Sequence, residues 1–156
     1  MTNEAIQALE RMGWRARAVP IERVDDLRRG LEHHHREGRI SDGSYQEFCR
    51  WFKFEPPSDL PDARSVLVVS TPCPRVVFHV HWRGRRVPMH LPPTYSEIDS
   101  SERQKLELLN SVLRPAGYAA VGARLPAKAL AVHSGLASYG RNNITYVPDF
   151  GSFHHL

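Results

Sequence analysis

Apolar residues recur along this chain with two different spacings, and the spacing changes from one segment to the next. Near the N-terminus they return every three to four positions, which predicts an amphipathic helix. Residues 76–82 (VVFHVHW) alternate strictly instead, which predicts a half-buried antiparallel strand that turns at Gly84. The continuous apolar run at 66–69 predicts a buried central strand. The predicted elements are helices at 3–12, 20–37, 45–52, 96 or 100 to 114, and 126–134, and strands at 14–19, 66–69, 76–82, 86–91, 118–123 and 144–147. Residues 41–43 are expected to cap the third helix, and residues 148–151 to form a turn. The helix that ends at 114 is expected to bury Leu106, Leu109 and Leu113.

The order of these elements predicts an α/β (α+β) fold, with a mainly antiparallel sheet flanked by helices. A chain of 156 residues suits a single domain, 1–156. Within it, residues 1–55 form a largely helical N-terminal part and residues 60–156 a sheet-containing core. The proline-rich connector between the two parts is too short to separate domains.

Charge and composition exclude several classes of protein. The net charge is +4, and the only compact basic cluster is at Arg83, Arg85 and Arg86. A solvated hairpin turn explains that cluster better than a nucleic-acid patch, so direct nucleic-acid binding by this chain is not expected. The chain has no long apolar run and no signal-peptide pattern, which predicts a cytoplasmic protein without a membrane partner. Two cysteines do not make a disulfide framework.

The histidines do not predict a metal site. Three consecutive helical histidines diverge by about 100° each, so they cannot converge on one ion. His79 and His81 share one face of a predicted strand, and the sequence brings no third ligand close to them unless His90 lies across the hairpin; a turn centred on Gly84 would place His90 too far along.

The most informative pattern lies in residues 126–156. Pro126 favours a helix start, and Gly135 suits the left-handed position that ends the helix. A polar turn then precedes a β-branched run, and it consists of Gly140, Arg141, Asn142 and Asn143. Such a turn brings together backbone amides, a guanidinium and two carboxamides, which suits a polar cofactor. The alternative is a plain helix–strand turn in which Asn adopts left-handed geometry.

Residues 131–153 fit the string A-V-x-S-G-L-A-x-Y-G-R-N-N-I-x-Y-V-P-x-x-G-S-F, which resembles the cobalamin-dependent epoxyqueuosine reductases and the related reductive dehalogenases. Residues 65–74 (SVLVVSTPCP) are similar to the first core strand of that family. Order and spacing agree over residues 60–156, whereas the first 55 residues resemble the family only loosely. The resemblance implies a nitroreductase-like, cobalamin-binding domain that forms the N-terminal half of an iron–sulfur reductase.

The same resemblance implies a set of site residues. Those expected to contact the corrin are Tyr95, Gly140, Asn142, Asn143, Ser152 and Phe153. Arg141 is a candidate to stabilise an anion that develops above the cobalt. Tyr139 is a candidate proton donor if its pKa is depressed.

Two differences from the family limit the substrate and the activity that can be expected. Epoxyqueuosine reductases carry an acidic proton donor before the helix that leads into the motif, and residues 121–125 contain no carboxylate. A different substrate is therefore expected, either a small molecule or a modified nucleoside. The cysteine quartets that bind 4Fe–4S clusters are also absent, so we expect a chain truncated before that electron-donating domain and inactive alone. The alternatives are a non-catalytic binding module and a flavin-binding nitroreductase-like domain.

Overall fold

The computed structural model describes residues 2–91 and 99–156 and shows an α+β protein built from helices and antiparallel strands. This confirms the predicted fold class. The helices are α1 (Thr2–Arg11), α2 (Glu22–Arg36), α3 (Asp42–Trp51), α4 (Asp99–Leu113) and α5 (Ala127–His133), with a 3₁₀ turn at Arg114–Ala116. The strands are β1 (Arg15–Pro20), β2 (Ser65–Pro72), β3 (Val77–Trp82), β4 (Arg85–His90), β5 (Ser138–Tyr139), β6 (Thr145–Tyr146) and β7 (His154–His155).

The central sheet has the order β1-β2-β7, and both pairs are antiparallel. β2 lies in the middle, with Val68 and Val69 buried on opposite faces, as predicted for a central strand. β1 comes from the N-terminal part of the chain and β2 from the later part, so the two parts share one sheet. β7 joins the sheet through the pairs Thr71–His155 and Pro72–His154.

Each face of the central sheet covers a separate apolar cluster. Residues of α1 and α4, chiefly Leu9 and Leu109, pack with Val69 on one face. On the other face, Leu130 of α5 and Val147 of the C-terminal segment pack with Val68. The C-terminal motif is therefore attached to the core through its apolar residues.

Helix α4 buries a different stripe from the predicted one. Leu106, Leu109 and Leu113 were expected to face the core, but the fully buried positions are Lys105 and Leu109, whereas Leu106 and Leu113 are half-buried. Lys105 and Leu109 are four residues apart and lie on one helix face. Sequence periodicity favoured three leucines, but the face of α4 that the fold buries is the one that carries Lys105 and Leu109.

The prediction of a strand at 118–123 is wrong, since residues 118–126 have no regular secondary structure. The side chain of Asn110 replaces the neighbouring strand. Its Nδ2 donates to the carbonyl of Ala120 at 2.9 Å, and its Oδ1 accepts from the amide of Ala120 at 3.0 Å. Because the Asn110 side chain pairs with both backbone groups of Ala120, the segment needs no neighbouring strand at that residue.

Strands β3 and β4 form a separate two-stranded hairpin. A two-residue turn joins them, with φ of 49° at Arg83 and 73° at Gly84, as a type I′ turn requires. The turn was predicted at Gly84, but β3 was expected to be half-buried. Only Val80 is half-buried in the two strands, because no helix or sheet within the described residues covers either face.

Among the helices that the structure describes, none is long and apolar enough to cross a lipid bilayer.

Candidate functional site

The C-terminal motif begins with a helix that ends sharply at a glycine. Gly135 follows the last turn of α5 and has φ of 74°, the left-handed geometry predicted for it. The amide of Leu136 donates to the carbonyl of Ala131 at 2.9 Å, and the amide of Gly135 donates to the carbonyl of Val132 at 3.1 Å. These two bonds form a Schellman motif, which reverses the chain into β5.

The polar turn connects two strands rather than a helix and a strand. β5 and β6 form a short hairpin, and the amide of Gly140 donates to the carbonyl of Ile144 at 2.8 Å. Asn143 has φ of 59°, so it occupies the left-handed position of a three-residue hairpin loop. The Oδ1 of Asn142 accepts from the amide of Ile144 at 3.3 Å and stabilises the turn from inside.

Gly140 is required by the packing of this hairpin. A Cβ at Gly140 would lie 2.5 Å from Cε2 of Tyr146 and 2.9 Å from Oδ1 of Asn142. Both distances are shorter than a van der Waals contact. The space over the Gly140 Cα therefore belongs to Tyr146 and Asn142, and the expected corrin contact has to be made by other atoms of the turn.

The remaining polar groups of the turn face solvent. Arg141, Asn142 and Asn143 are exposed, and Tyr139 is 48% exposed. Within the described residues, the side chains of Tyr139, Arg141 and Asn143 make no hydrogen bond or ion pair. They are therefore available to a ligand that approaches from outside.

A depression at α1 and another beside β1 lie on the surface of the described residues, and neither touches this turn. One, of about 420 Å³, is lined by Gln7, Glu10 and Arg11 on α1. The other, of about 220 Å³, lies between β1, the start of α2 and the end of α5. A disc bound at residues 140–143 would rest against a surface turn of this chain and would not enter either depression.

Ser152 and Phe153 lie in the next turn along the chain, and both are half-buried. The carbonyl of Phe153 accepts from the amide of Cys73 at 2.9 Å, which places this turn at the end of β2. The guanidinium of Arg75 lies 5.1 Å from the centre of the Phe153 ring. Tyr95, the remaining expected cofactor contact, lies outside the described residues.

His154 links the β5–β6 hairpin to the turn at Gly151. The sequence pattern did not single it out as a candidate residue. It is buried, and its Nδ1 lies 3.1 Å from the carbonyl of Gly151. A carbonyl only accepts, so Nδ1 carries the proton, and Nε2 accepts from the hydroxyl of Thr145 at 3.1 Å. Burial lowers the pKa of His154 and outweighs the opposing effect of the bond to the Gly151 carbonyl, while His155 and Lys128 lower the pKa further, so the neutral ring is favoured at neutral pH.

A second link joins the turn at residues 148–151 to the central sheet. The guanidinium of Arg15 on β1 donates to the carboxylate of Asp149 at 2.9 Å and lies 5.4 Å from the centre of the Phe150 ring. The pattern around Pro148 predicted a turn, but it gave no sign that Arg15 would hold it. A contact across 134 sequence positions is decided only by the fold.

Within residues 2–91 and 99–156, no group of three or more histidine, cysteine, aspartate or glutamate side chains is arranged to hold a metal ion. His79 and His81 share one face of the β3–β4 hairpin, and His90 pairs with Val77 at the far end of that face. His35 instead stacks on Tyr45, with the ring centres 4.1 Å apart.

Comparison with known proteins adds no relative: no family model matches the chain, and neither a curated protein nor a solved structure is detectably similar to it.

Proposed function

We propose that this chain is the corrinoid-binding part of an iron–sulfur-dependent reductase of the epoxyqueuosine reductase type. The observation that carries the proposal is the surface turn at 140–143, which presents a guanidinium and two carboxamides. Corrin rings carry neutral amide side chains, which need both donors and acceptors of the kind that Asn142, Asn143 and the turn backbone offer. The string at 131–153 that resembles the family coincides with one structural unit, from α5 to the start of β7.

In this proposal the residues of the chain divide into two groups. Asn143 and the Nδ2 of Asn142 hold the corrin amides, while Tyr146 and Gly140 keep the turn in shape. Arg141 offers an exposed guanidinium, unpaired among the described residues, to an anionic substrate group. A bound corrinoid supplies cobalt-centred reduction, and the side chains orient the substrate and exclude water.

Because the turn is exposed, it covers only one side of a bound corrin, and a second wall would complete the site. We propose that this wall belongs to the polypeptide that carries the 4Fe–4S clusters and delivers the electrons. The chain alone then binds cobalamin without turnover. The lack of a carboxylate at 121–125 supports a substrate other than epoxyqueuosine, either a small molecule or another modified nucleoside.

A visible spectrum tests the proposal directly. The purified chain is mixed with cobalamin or with FMN, desalted, and its absorption recorded. Retained corrin bands support the proposal, whereas retained flavin bands favour a nitroreductase-like flavoprotein. A colourless protein favours a non-catalytic binding module, which the packing role of Gly140 also favours because that glycine needs no cofactor to explain it.

Matched variants test whether cobalamin binds at the turn of residues 140–143. Asn143→Gly removes the carboxamide but keeps the left-handed backbone, and Arg141→Ala removes an unpaired guanidinium. Each should lower cobalamin retention, and the two together should lower it at least about tenfold. Arg50→Ala, which removes an exposed arginine on α3, should leave it unchanged. Equal retention in all three variants would remove the turn from the site.

A further inference from the structure

The β3–β4 hairpin has two faces of different chemistry. Cross-strand pairs that share a face are Phe78 with Met89, Val80 with Val87, and Trp82 with Arg85. Val76 lies on this face as well, one pair beyond the strand, where its carbonyl accepts from the amide of Leu91. The result is an apolar face on which Trp82 is 66% exposed and Phe78 is 41% exposed. A two-stranded hairpin gains little stability in water unless such a face is covered.

The hydrogen-bonding pattern decides which backbone groups the hairpin leaves unpaired. The bond from Leu91 to Val76 and the two-residue turn after Trp82 make 76–91, 78–89, 80–87 and 82–85 the hydrogen-bonded pairs. The residues between them direct their amide and carbonyl groups away from the partner strand. The outward-directed residues are Val77, His79 and His81 on β3, and Arg86, Pro88 and His90 on β4.

The two outer edges of the hairpin are protected differently. Pro88 has no amide hydrogen, so the β4 edge lacks a donor at its centre, and Arg86 adds a charge there. The β3 edge carries no Asp, Glu, Lys or Arg, and all three outward residues retain their amides. Among the described residues, no backbone hydrogen bond closes this β3 edge. One edge is thus blocked, and the other is open to another strand.

We propose that the β3 edge pairs with β3 of a second copy of this chain, forming an antiparallel four-stranded sheet across a two-fold axis. The axis passes through His79, so that His79 faces His79 of the second copy and Val77 faces His81. This register places outward-directed residues opposite each other, and each such pair exchanges two hydrogen bonds.

The side chains on the apolar face complement each other in the same register. Phe78 lies beside Val80 of the second copy, and Trp82 lies beside Val76, so apolar groups that are exposed in one chain gain apolar neighbours across the new strand pair. Arg85 lies on the outer strand and does not face its own copy across the axis. Arg86 also lies on the outer strand, and its guanidinium reaches to 3.2 Å from Nδ1 of His79 on the polar face. The assembly stops at two chains because the remaining edges carry Pro88.

Sedimentation of the full chain over a wide concentration range tests the dimer. His79→Pro removes the central amide of the β3 edge without removing a backbone bond from the hairpin, since that amide points outward; within the described residues, the only side-chain hydrogen bond that it removes is the exposed one between Arg86 and Nδ1 of His79. It should weaken the dimer at least about tenfold. His90→Lys, on the same face but on the β4 edge, should leave association unchanged. A wild-type chain that is monomeric throughout, or a dimer that responds equally to both substitutions, would overturn the proposal.

Disulfide trapping tests the register. Hydrogen-bonded antiparallel partners have Cα atoms about 5.5 Å apart, a distance that a disulfide can bridge. His79→Cys should therefore cross-link two copies under mild oxidation, while His81→Cys should not, because its partner is Val77. Far-UV circular dichroism verifies that each variant is folded. Pro88→Val should unblock the outer edge and give assemblies larger than a dimer, and failure to do so contradicts the closed two-fold arrangement.

Discussion

Replacing Gly140 with alanine is the sharpest test of how the polar turn is built. The added Cβ would lie 2.5 Å from the Tyr146 ring and 2.9 Å from the Asn142 carboxamide, with the Ile144 carbonyl at 3.3 Å. Carbon atoms prefer a separation of about 3.5–4.0 Å, so the ring has to move by about 1 Å. Gly140 does not have a positive φ, so steric crowding alone sets the cost.

The magnitude follows from what has to move. Tyr146 is 42% exposed and can swing outward, which places the cost of crowding toward the lower part of the usual range of about 1–3 kcal/mol. Asn142 has to rotate as well, which breaks its bond to the Ile144 amide and adds about 1 kcal/mol. We therefore expect Gly140→Ala to lower the free energy of unfolding by about 2 kcal/mol.

Urea unfolding, followed by circular dichroism, measures this change in the midpoint and in the extrapolated free energy. Gly122→Ala is the control, because no atom lies within 4 Å of its added Cβ, and it should change stability by less than about 0.5 kcal/mol. In a Tyr146→Ala background the cost of Gly140→Ala should fall by about 1 kcal/mol, since the ring is gone. An unchanged cost in that background would refute the steric explanation.

Three further predictions concern buried polar groups. Because burial lowers the pKa of His154, the unfolded chain takes up a proton that the folded chain refuses as the pH falls below about 6.5, so stability should drop with acid. His154→Phe should flatten that part of the pH–stability curve, and an unchanged slope would exclude His154 as its source. Ser70→Ala should raise the free energy of unfolding by about 1 kcal/mol in urea titrations, because the buried Ser70 hydroxyl has no partner among the described residues. Burial also lowers the pKa of Lys105, against a smaller opposing effect of Glu102, so Lys105→Met should raise the melting temperature at neutral pH; a lower one would show that the ammonium is favourably paired.

Local patterns were sufficient to predict most of the elements. The Ser41 cap of α3, with its Oγ accepting from the amide of Ser44 at 3.3 Å, depends only on neighbours in sequence. The left-handed Gly135 and the turn at Gly84 are set in the same way by backbone conformations that few residues other than glycine adopt readily. The buried run in β2 was readable because both faces of a central strand are apolar.

Other features depend on which segments meet in space. The alternation in β3 indicated the two faces of the hairpin correctly, but whether either face is covered depends on elements that pack elsewhere. Residues 118–123 have strand-like composition, yet the Asn110 side chain takes the backbone bonds that a neighbouring strand would have used. Lys105 is buried because α4 packs against the sheet on that side.

The same division holds for the candidate site. The sequence alone determined that glycine, arginine and two asparagines form one polar turn, because their order and spacing allow little else. Only the tertiary structure decided that the turn belongs to a surface hairpin, that Tyr146 fills the space over Gly140, and that His154 joins Thr145 to Gly151. Turn geometry is a short-range property of the chain, whereas exposure and burial depend on segments far apart in sequence that fold against each other.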